Sequence, residues 1–123
     1  MKHGVYVFCF LLLMFSLTAC GSEFNGSRTG NDSEFIMDFV VLNKSDAQDL
    51  KVEAGDSICA KVVVEAGQLS IKIQKDQEEP IYACDDVATG EFQISVEKSG
   101  IYTVTVTGEH AKGSVAFAVG TNP

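Results

Sequence analysis

The amino-acid sequence predicts an all-β fold, a small antiparallel β-sandwich of jelly-roll or immunoglobulin-like type with about 7–8 strands, which follows a signal peptide and a flexible linker. From Phe35 onward, apolar and polar residues alternate with a period of two, as in strands with one buried face. Turns that contain glycine interrupt this pattern about every 8–13 residues, a spacing typical of sandwiches and barrels. Because each strand has one apolar face, two sheets are expected to pack together.

The first residues have the composition of a secretory leader. Lys2 supplies a positive charge, and residues 5–17 are almost entirely apolar. About 13 residues of helix span roughly 20 Å, which is less than the ~30 Å hydrocarbon core of a bilayer. The segment therefore predicts a signal peptide over residues 1–19 that is removed from the mature protein.

The end of this leader, Leu17-Thr18-Ala19-Cys20, resembles a bacterial lipobox. The resemblance implies that Cys20 is lipidated and that cleavage makes it the mature N-terminus; the alternative is an ordinary signal peptide with a chance cysteine. Two acyl chains bind a membrane firmly, whereas one binds it reversibly. We therefore expect a lipid anchor on Cys20 at the extracytoplasmic face of the cell membrane. By the same resemblance, Gly21 favours the outer membrane if the envelope has two.

The segment after Cys20 is polar and rich in Gly, Ser and Asn. It contains too few apolar residues to form a core, and 14 such residues would reach roughly 20 Å as a flexible tether. The sequence therefore predicts a lipidated cysteine and flexible linker over residues 20–34, followed by one β-sandwich domain over residues 35–123.

The alternating segments predict the individual strands of this domain. We expect them near residues 35–41, 49–53, 57–65, 68–75, 80–84, 91–97, 101–107 and 114–119. The connecting turns are expected at residues 53–56, 65–68, 88–91, 98–100 and 108–113, where glycine accepts the positive φ of tight turns. Five aromatic residues are expected in the core, namely Phe35, Phe39, Phe92, Tyr102 and Phe117. The hydroxyl of Tyr102 is expected to bond a backbone group.

Three segments resemble the GOLD and pre-peptidase C-terminal type of bacterial jelly-roll module. They are Leu-Lys-Val-Glu-Ala-Gly-Asp at 50–56, Ser-Gly-Ile-Tyr-Thr-Val-Thr-Val-Thr-Gly at 99–108 and Gly-Ser-Val-Ala-Phe-Ala-Val at 113–119. What the resemblance implies is an accessory or binding module, generally non-catalytic.

Charge excludes one class of partner. After Cys20 the chain has eight basic and 17 acidic residues, a side-chain net charge of −9. Nucleic-acid binding needs a basic surface that neutralises phosphates. We therefore expect no nucleic-acid partner.

Two cysteines remain in the domain, Cys59 and Cys84. In an exported domain such a pair predicts a disulfide, which would contribute roughly 3.5 kcal/mol in the chain-entropy model. The alternative is two unpaired, semi-buried thiols. A redox or metal role is disfavoured because the two positions lack CxxC spacing and a neighbouring histidine.

The sequence lacks the residue arrangements of the common catalytic sites. His110 is the one histidine after Cys20, it lies in a predicted turn, and no nucleophile-elbow motif accompanies it. A zinc site needs three or four ligands. We therefore expect a non-enzymatic protein with no cofactor, no metal centre and no catalytic residues.

Two features of the sequence are candidates for ligand contact. Acidic residues flank the predicted strand at 80–84, with Asp76, Glu78 and Glu79 before it and Asp85 and Asp86 after it. Oxygen ligands in loops bind calcium, but this spacing matches no defined calcium loop. Within the strand Tyr82 alternates away from its apolar neighbours, which predicts an exposed ring. Tyr82, Asp85 and Asp86 are therefore the candidate contacts.

These observations predict a lipid-anchored, non-catalytic β-sandwich lipoprotein that serves as an interaction or accessory module at the bacterial cell envelope. Its partners would be the membrane, through Cys20, and an envelope protein or glycan. The loops at 76–80, 85–91 and 108–113 are expected to present the binding surface. The alternative function is a surface lipoprotein that binds a small ligand, carbohydrate or calcium.

Overall fold

A computed structural model describes residues 23–121. The predicted signal peptide and Cys20 lie outside these residues. The described chain is all-β, with seven strands and no helix, as the sequence predicts. The strands are β1 (Phe24–Gly30), β2 (Glu34–Leu42), β3 (Ser45–Val52), β4 (Asp56–Lys75), β5 (Tyr82–Cys84), β6 (Gly90–Ser95) and β7 (Gly100–Thr121).

Two of the strands are far longer than predicted. β4 has 20 residues and β7 has 22, and they pair antiparallel from Asp56↔Thr121 to Lys75↔Tyr102. The expected turns at 65–68 and 108–113 are therefore wrong, because the chain continues there as paired strand. The ladder changes register between Val64 and Gln68, which is the signature of bulges that bend a strand.

Glycine is needed at this bend because the two backbones approach closely. Gly67 has a φ of 73°, and a Cβ on it would overlap the carbonyl of His110. A Cβ on Gly113 would overlap the carbonyl oxygen of Val63. The glycines that suggest hairpins in the sequence thus allow one long pair of strands to fold back on itself.

The bend divides a single hydrogen-bonded sheet into two layers. The first layer has the order β1, β2, second half of β7, first half of β4, β6. The second layer has the order β3, first half of β7, second half of β4, β5. Their apolar faces meet in one buried cluster, so the folded sheet is a β-sandwich.

The core consists of the inward-facing residues of both layers. The stacked rings of Phe35 and Phe117, with centroids 6.2 Å apart, lie at its centre. The other large, fully buried side chains are Met37, Leu42, Leu50, Val52, Ile58, Val62, Leu69, Ile71, Ile73 and Val104. The core positions predicted for Phe35, Phe39, Tyr102 and Phe117 are confirmed, whereas Phe92 is half-buried against the core. The Tyr102 hydroxyl donates to the carbonyl of Lys98 at 2.7 Å, as expected.

The predicted flexible linker is wrong for residues 24–30. This segment forms β1, which pairs with β2 from Phe24↔Leu42 to Gly30↔Phe35. Its order comes from backbone pairing and from Arg28, whose guanidinium lies 4.8 Å from the centroid of the Phe35 ring. Arg28 also bonds Asp46 at 2.8 Å and the Ala47 carbonyl at 2.8 Å, both on β3. It thereby joins the two layers at one edge of the sandwich.

The loops gather at two ends of the sandwich. The bend end contains residue 23, the β2–β3 connection at 43–44, the bends at 64–68 and 108–113, and the loop at 85–89. The open end contains residues 31–33, 53–55, 76–81 and 96–99. The loops expected to form one binding surface are therefore divided between opposite ends. Within residues 23–121 there is no apolar helix of membrane-spanning length.

Candidate functional site

Tyr82 does not present an exposed ring. Its side chain is half-buried and stacks on Phe92 across the gap between the layers, with ring centroids 4.7 Å apart. Burial raises the pKa of Tyr82 above its usual value, and the neighbouring Cys84 raises it further. The register explains the difference from the prediction: Tyr82 pairs with Ile73, whose side chain faces the core. Tyr82 therefore closes the second edge of the sandwich, opposite Arg28.

The predicted disulfide is not formed. Cys59 and Cys84 are both free thiols. Cys59 lies on the outer face of the first layer, whereas Cys84 packs against the core from β5 in the second layer. The sequence separation is compatible with a bridge, but opposite orientations in different layers prevent it.

The acidic candidates do not converge on one site. Asp85 and Asp86 are exposed near the bend end, while Asp76, Glu78 and Glu79 lie at the open end. Glu78 pairs with Lys75 at 3.2 Å and with Lys98 at 3.8 Å, and the contact with Lys75 lowers the pKa of Glu78. Residues 23–121 contain no group of three or more carboxylate, histidine or cysteine side chains that could hold a metal ion.

His110 is exposed at the bend, with a positive φ of 52°. Its backbone N–H donates to the side chain of Asn43 at 3.0 Å. Its role in the fold is thus to position the β2–β3 connection against the bend. This arrangement involves its main chain, not its imidazole.

A groove lies on the outer face of the first layer. It has a volume of about 480 Å³. Two rows of side chains cross the four strands here, one of Ile36, Ala116, Lys61 and Glu91, the other of Glu34, Ala118, Cys59 and Gln93. Alanine on the central strand β7 leaves a shallow floor between larger side chains on β2, β4 and β6. Because β2 and β4 are two strand spacings apart, the groove is about 10 Å wide.

The groove combines apolar surface with charged side chains that form no ion pair within the described residues. Ile36 is 40% exposed on the outer face of β2, whereas its neighbours Phe35 and Met37 face the core and are fully buried. Glu34, Lys61 and Glu91 form no ion pair within residues 23–121. Such charges around a small apolar surface are available to a binding partner.

The groove does not have the geometry of the simplest hydrolytic sites. Glu34 on β2 and Glu91 on β6 are separated by three strand spacings, about 14 Å, whereas paired-carboxylate glycosidases need about 5–9.5 Å. Its aromatic neighbours also turn away, since Phe117 is fully buried and Phe92 stacks on Tyr82. The surface therefore offers no free ring on which a sugar could stack.

Sequence reasoning missed this groove. In the alternation Val115-Ala116-Phe117-Ala118-Val119, the larger apolar residues indicate the core face, and the two outward alanines give no indication of a binding surface. Small residues at alternate outward positions, opposite Ile36 on the neighbouring strand, are the pattern that would have indicated it. The register between β2 and β7 is needed to place them together.

The outer face of the second layer is different in chemistry. It presents hydroxyl groups from Thr105, Thr107, Ser45 and Ser70 beside Lys72. Ser45 and Thr107 bond each other at 2.6 Å, and Ser70 donates to the Asp85 carbonyl at 2.7 Å. Because several of these groups bond within the protein, this face is less available to a ligand than the groove is.

Comparison with known proteins supports the fold. No family model and no curated protein matches the sequence. A pre-peptidase C-terminal domain of collagenase from Bacillus anthracis is similar over 74% of this chain and 90% of that chain, with 14% identity and a TM-score of 0.50. A periplasmic inhibitor of g-type lysozyme from Aeromonas hydrophila covers 80% of this chain and 88% of that chain, with 19% identity and a TM-score of 0.48. A CBM4 structure covers 82% and 79%, with 11% identity and a TM-score of 0.44. The likeness to the pre-peptidase C-terminal domain, at 14% identity, concerns the β-sandwich fold alone, and the other two similarities, with TM-scores below 0.5, carry no argument.

Proposed function

We propose that this protein is a non-catalytic binding module of the bacterial cell envelope, anchored through a lipid on Cys20. The single observation that carries the binding role is the outer groove, in which exposed Ile36 and small alanines lie among charges that form no ion pair within residues 23–121. The lipobox-like Leu17-Thr18-Ala19-Cys20 supports the anchor and the extracytoplasmic location. The sandwich supplies a rigid scaffold for the groove.

We infer that the groove binds a protein segment rather than a glycan. Glycan recognition commonly uses aromatic platforms, whereas every aromatic side chain of the described chain is buried or half-buried. The groove instead provides aliphatic contact beside one ammonium and two carboxylates, which suits a peptide with an apolar anchor and charged neighbours. Its width accommodates one row of partner side chains.

The test is affinity purification from native envelopes with matched variants. Ala118→Arg fills the groove, while Ala83→Arg places the same side chain on exposed β5 of the other layer. A partner that is recovered by the wild type and by Ala83→Arg, but lost with Ala118→Arg, would support the proposal. Equal recovery of the partner with both variants would show that the binding surface lies outside the groove.

Separate arms of the test address other functions. Inhibition of a g-type lysozyme would identify an inhibitor function, which the fold by itself does not show. Binding on a glycan array that Ala118→Arg leaves unchanged would favour the carbohydrate alternative. An increase in melting temperature on adding calcium would favour a calcium-binding function, since a ligand of the native state stabilises it by mass action.

A further inference from the structure

The first described residue, Glu23, lies close to Cys20 along the chain. The carbonyl of Glu23 accepts a hydrogen bond from the backbone N–H of Asn43 at 2.7 Å, and β1 starts at the next residue. Three residue steps separate Cys20 from Glu23, and a chain of that length spans about 10 Å at most. The tether is therefore much shorter than the one that a flexible segment over residues 20–34 would provide.

Glu23 is attached to the bend end of the sandwich. Its partner Asn43 also accepts a hydrogen bond from His110 N–H at 3.0 Å, and the adjacent Lys44 carbonyl accepts one from Gly108 at 3.0 Å. The start of the domain, the β2–β3 connection and the bend in β7 thus form one hydrogen-bonded group. The chain that leads to Cys20 leaves the domain from this end.

We infer that the anchored protein stands on the membrane with its bend end towards the lipid and its open end away from it, an orientation that rests on the proposed anchor at Cys20. From Asp56 to Val64, β4 advances eight residue steps between the two ends, which corresponds to about 25 Å. The loops at 53–55, 76–81 and 96–99 are then the parts most distant from the membrane. The groove lies on the side of the domain between the two ends, open to a partner that approaches along the membrane surface.

The orientation comes from the tether and not from electrostatic attraction. The exposed charges at the bend end include Glu23, Glu65 and Glu109 against Lys44 and Lys112. A surface without excess positive charge is not drawn to anionic lipid headgroups. The orientation should therefore be insensitive to salt, whereas electrostatic adsorption would weaken as salt screens the charges.

Site-specific quenching in vesicles tests this arrangement. The full precursor is expressed in a bacterial host that processes lipoproteins, with Cys59→Ser and Cys84→Ser, and reconstituted in vesicles of phosphatidylcholine and anionic phosphatidylglycerol. One fluorophore is attached at Gln68→Cys, on the exposed bend, or at Gln77→Cys, an equally exposed glutamine at the open end. A quencher attached to lipid headgroups should quench the first several-fold more than the second, at low and high salt alike.

A longer tether provides the control. An insert of about 12 Gly and Ser residues between Ser22 and Glu23 adds a reach of roughly 20 Å and should remove most of the difference between the two positions. Equal quenching without the insert, in protein that floats with the vesicles, would overturn the orientation while leaving the anchor intact. Failure of the wild type to float, or absence of acyl chains on Cys20 in the mass spectrum of the floated protein, would overturn the proposed anchor itself.

Discussion

Substitution of Arg28 provides a test of whether β1 belongs to the folded domain. The side chain lies over the ring of Phe35, bonds the Asp46 carboxylate at 2.8 Å, and donates to the Ala47 carbonyl at 2.8 Å and the Gln48 side chain at 3.2 Å. The partners on β3 belong to the opposite layer from β1. Replacing Arg28 with alanine therefore removes the main side-chain contact between the layers at this edge.

The expected loss of stability follows from these contacts. The ion pair is partly exposed, with side-chain exposures of 32% and 24%, so it contributes about 0–1 kcal/mol. The contact with the ring contributes about 0.5–1 kcal/mol, and a hydrogen bond to a backbone carbonyl about 1 kcal/mol. Since these terms overlap, we expect Arg28→Ala to lower the free energy of unfolding by about 1–2 kcal/mol. For a domain of this length, the melting temperature should fall by roughly 5–15 °C.

Chemical denaturation with calorimetry is the appropriate assay, and Thr29→Ala is the matched control on the same strand. Thr29 is exposed and has no side-chain hydrogen bond in the described structure, so its replacement should leave stability nearly unchanged. Arg28→Lys should fall between the two, because lysine keeps the charge but loses the planar fork. If Arg28→Ala were as neutral as Thr29→Ala, the segment would behave as the flexible linker that its composition suggests, and our account of β1 would be refuted.

Three further predictions concern the bend, the closed edge and the thiols. Gly113→Ala should destabilise the domain by at least about 2 kcal/mol, because the added methyl group would overlap the backbone of β4. Gly90→Ala is the control, since its methyl group would meet open space and should be neutral or slightly stabilising. Equal denaturant midpoints for the two variants would contradict the close approach of the strands at Gly113. Because burial raises the pKa of Tyr82, the stability linked to its neutral phenol is present below pH of about 10 and is lost at higher pH. Melting temperatures at rising pH should therefore fall less steeply for Tyr82→Phe, and parallel curves would argue against a buried phenol. In native protein with Cys9→Ser and Cys20→Ser, Cys59 should react rapidly with a thiol reagent and Cys84 slowly, with both titratable after unfolding. Unfolded protein without free thiols under non-reducing conditions would instead show that the two cysteines are paired.

The sequence by itself determined the secondary-structure class and most of the core. Side chains in a strand alternate strictly between its two faces, so the sequence pattern assigns the inward and outward faces without any knowledge of neighbouring strands. In β7, for example, Tyr102, Val104 and Val106 face inward and alternate with Thr103 and Thr105. The same reasoning identified Phe35 and Phe117 as core residues. Such local patterns depend only on hydrophobicity and period.

Tertiary structure decided whatever depends on which strands become neighbours. Gly67 and Gly113 look like hairpin turns in sequence, but the close approach of β4 and β7 makes them bends in two continuous strands. A polar segment such as β1 becomes ordered because its backbone pairs with β2, and pairing of backbone groups leaves no mark in the hydrophobic pattern. The groove around Ala116 and Ala118 likewise exists only once β2 and β4 are placed on either side of β7. Periodicity assigns a residue to a face, but only the register between distant strands brings faces together into an edge, a core or a binding surface.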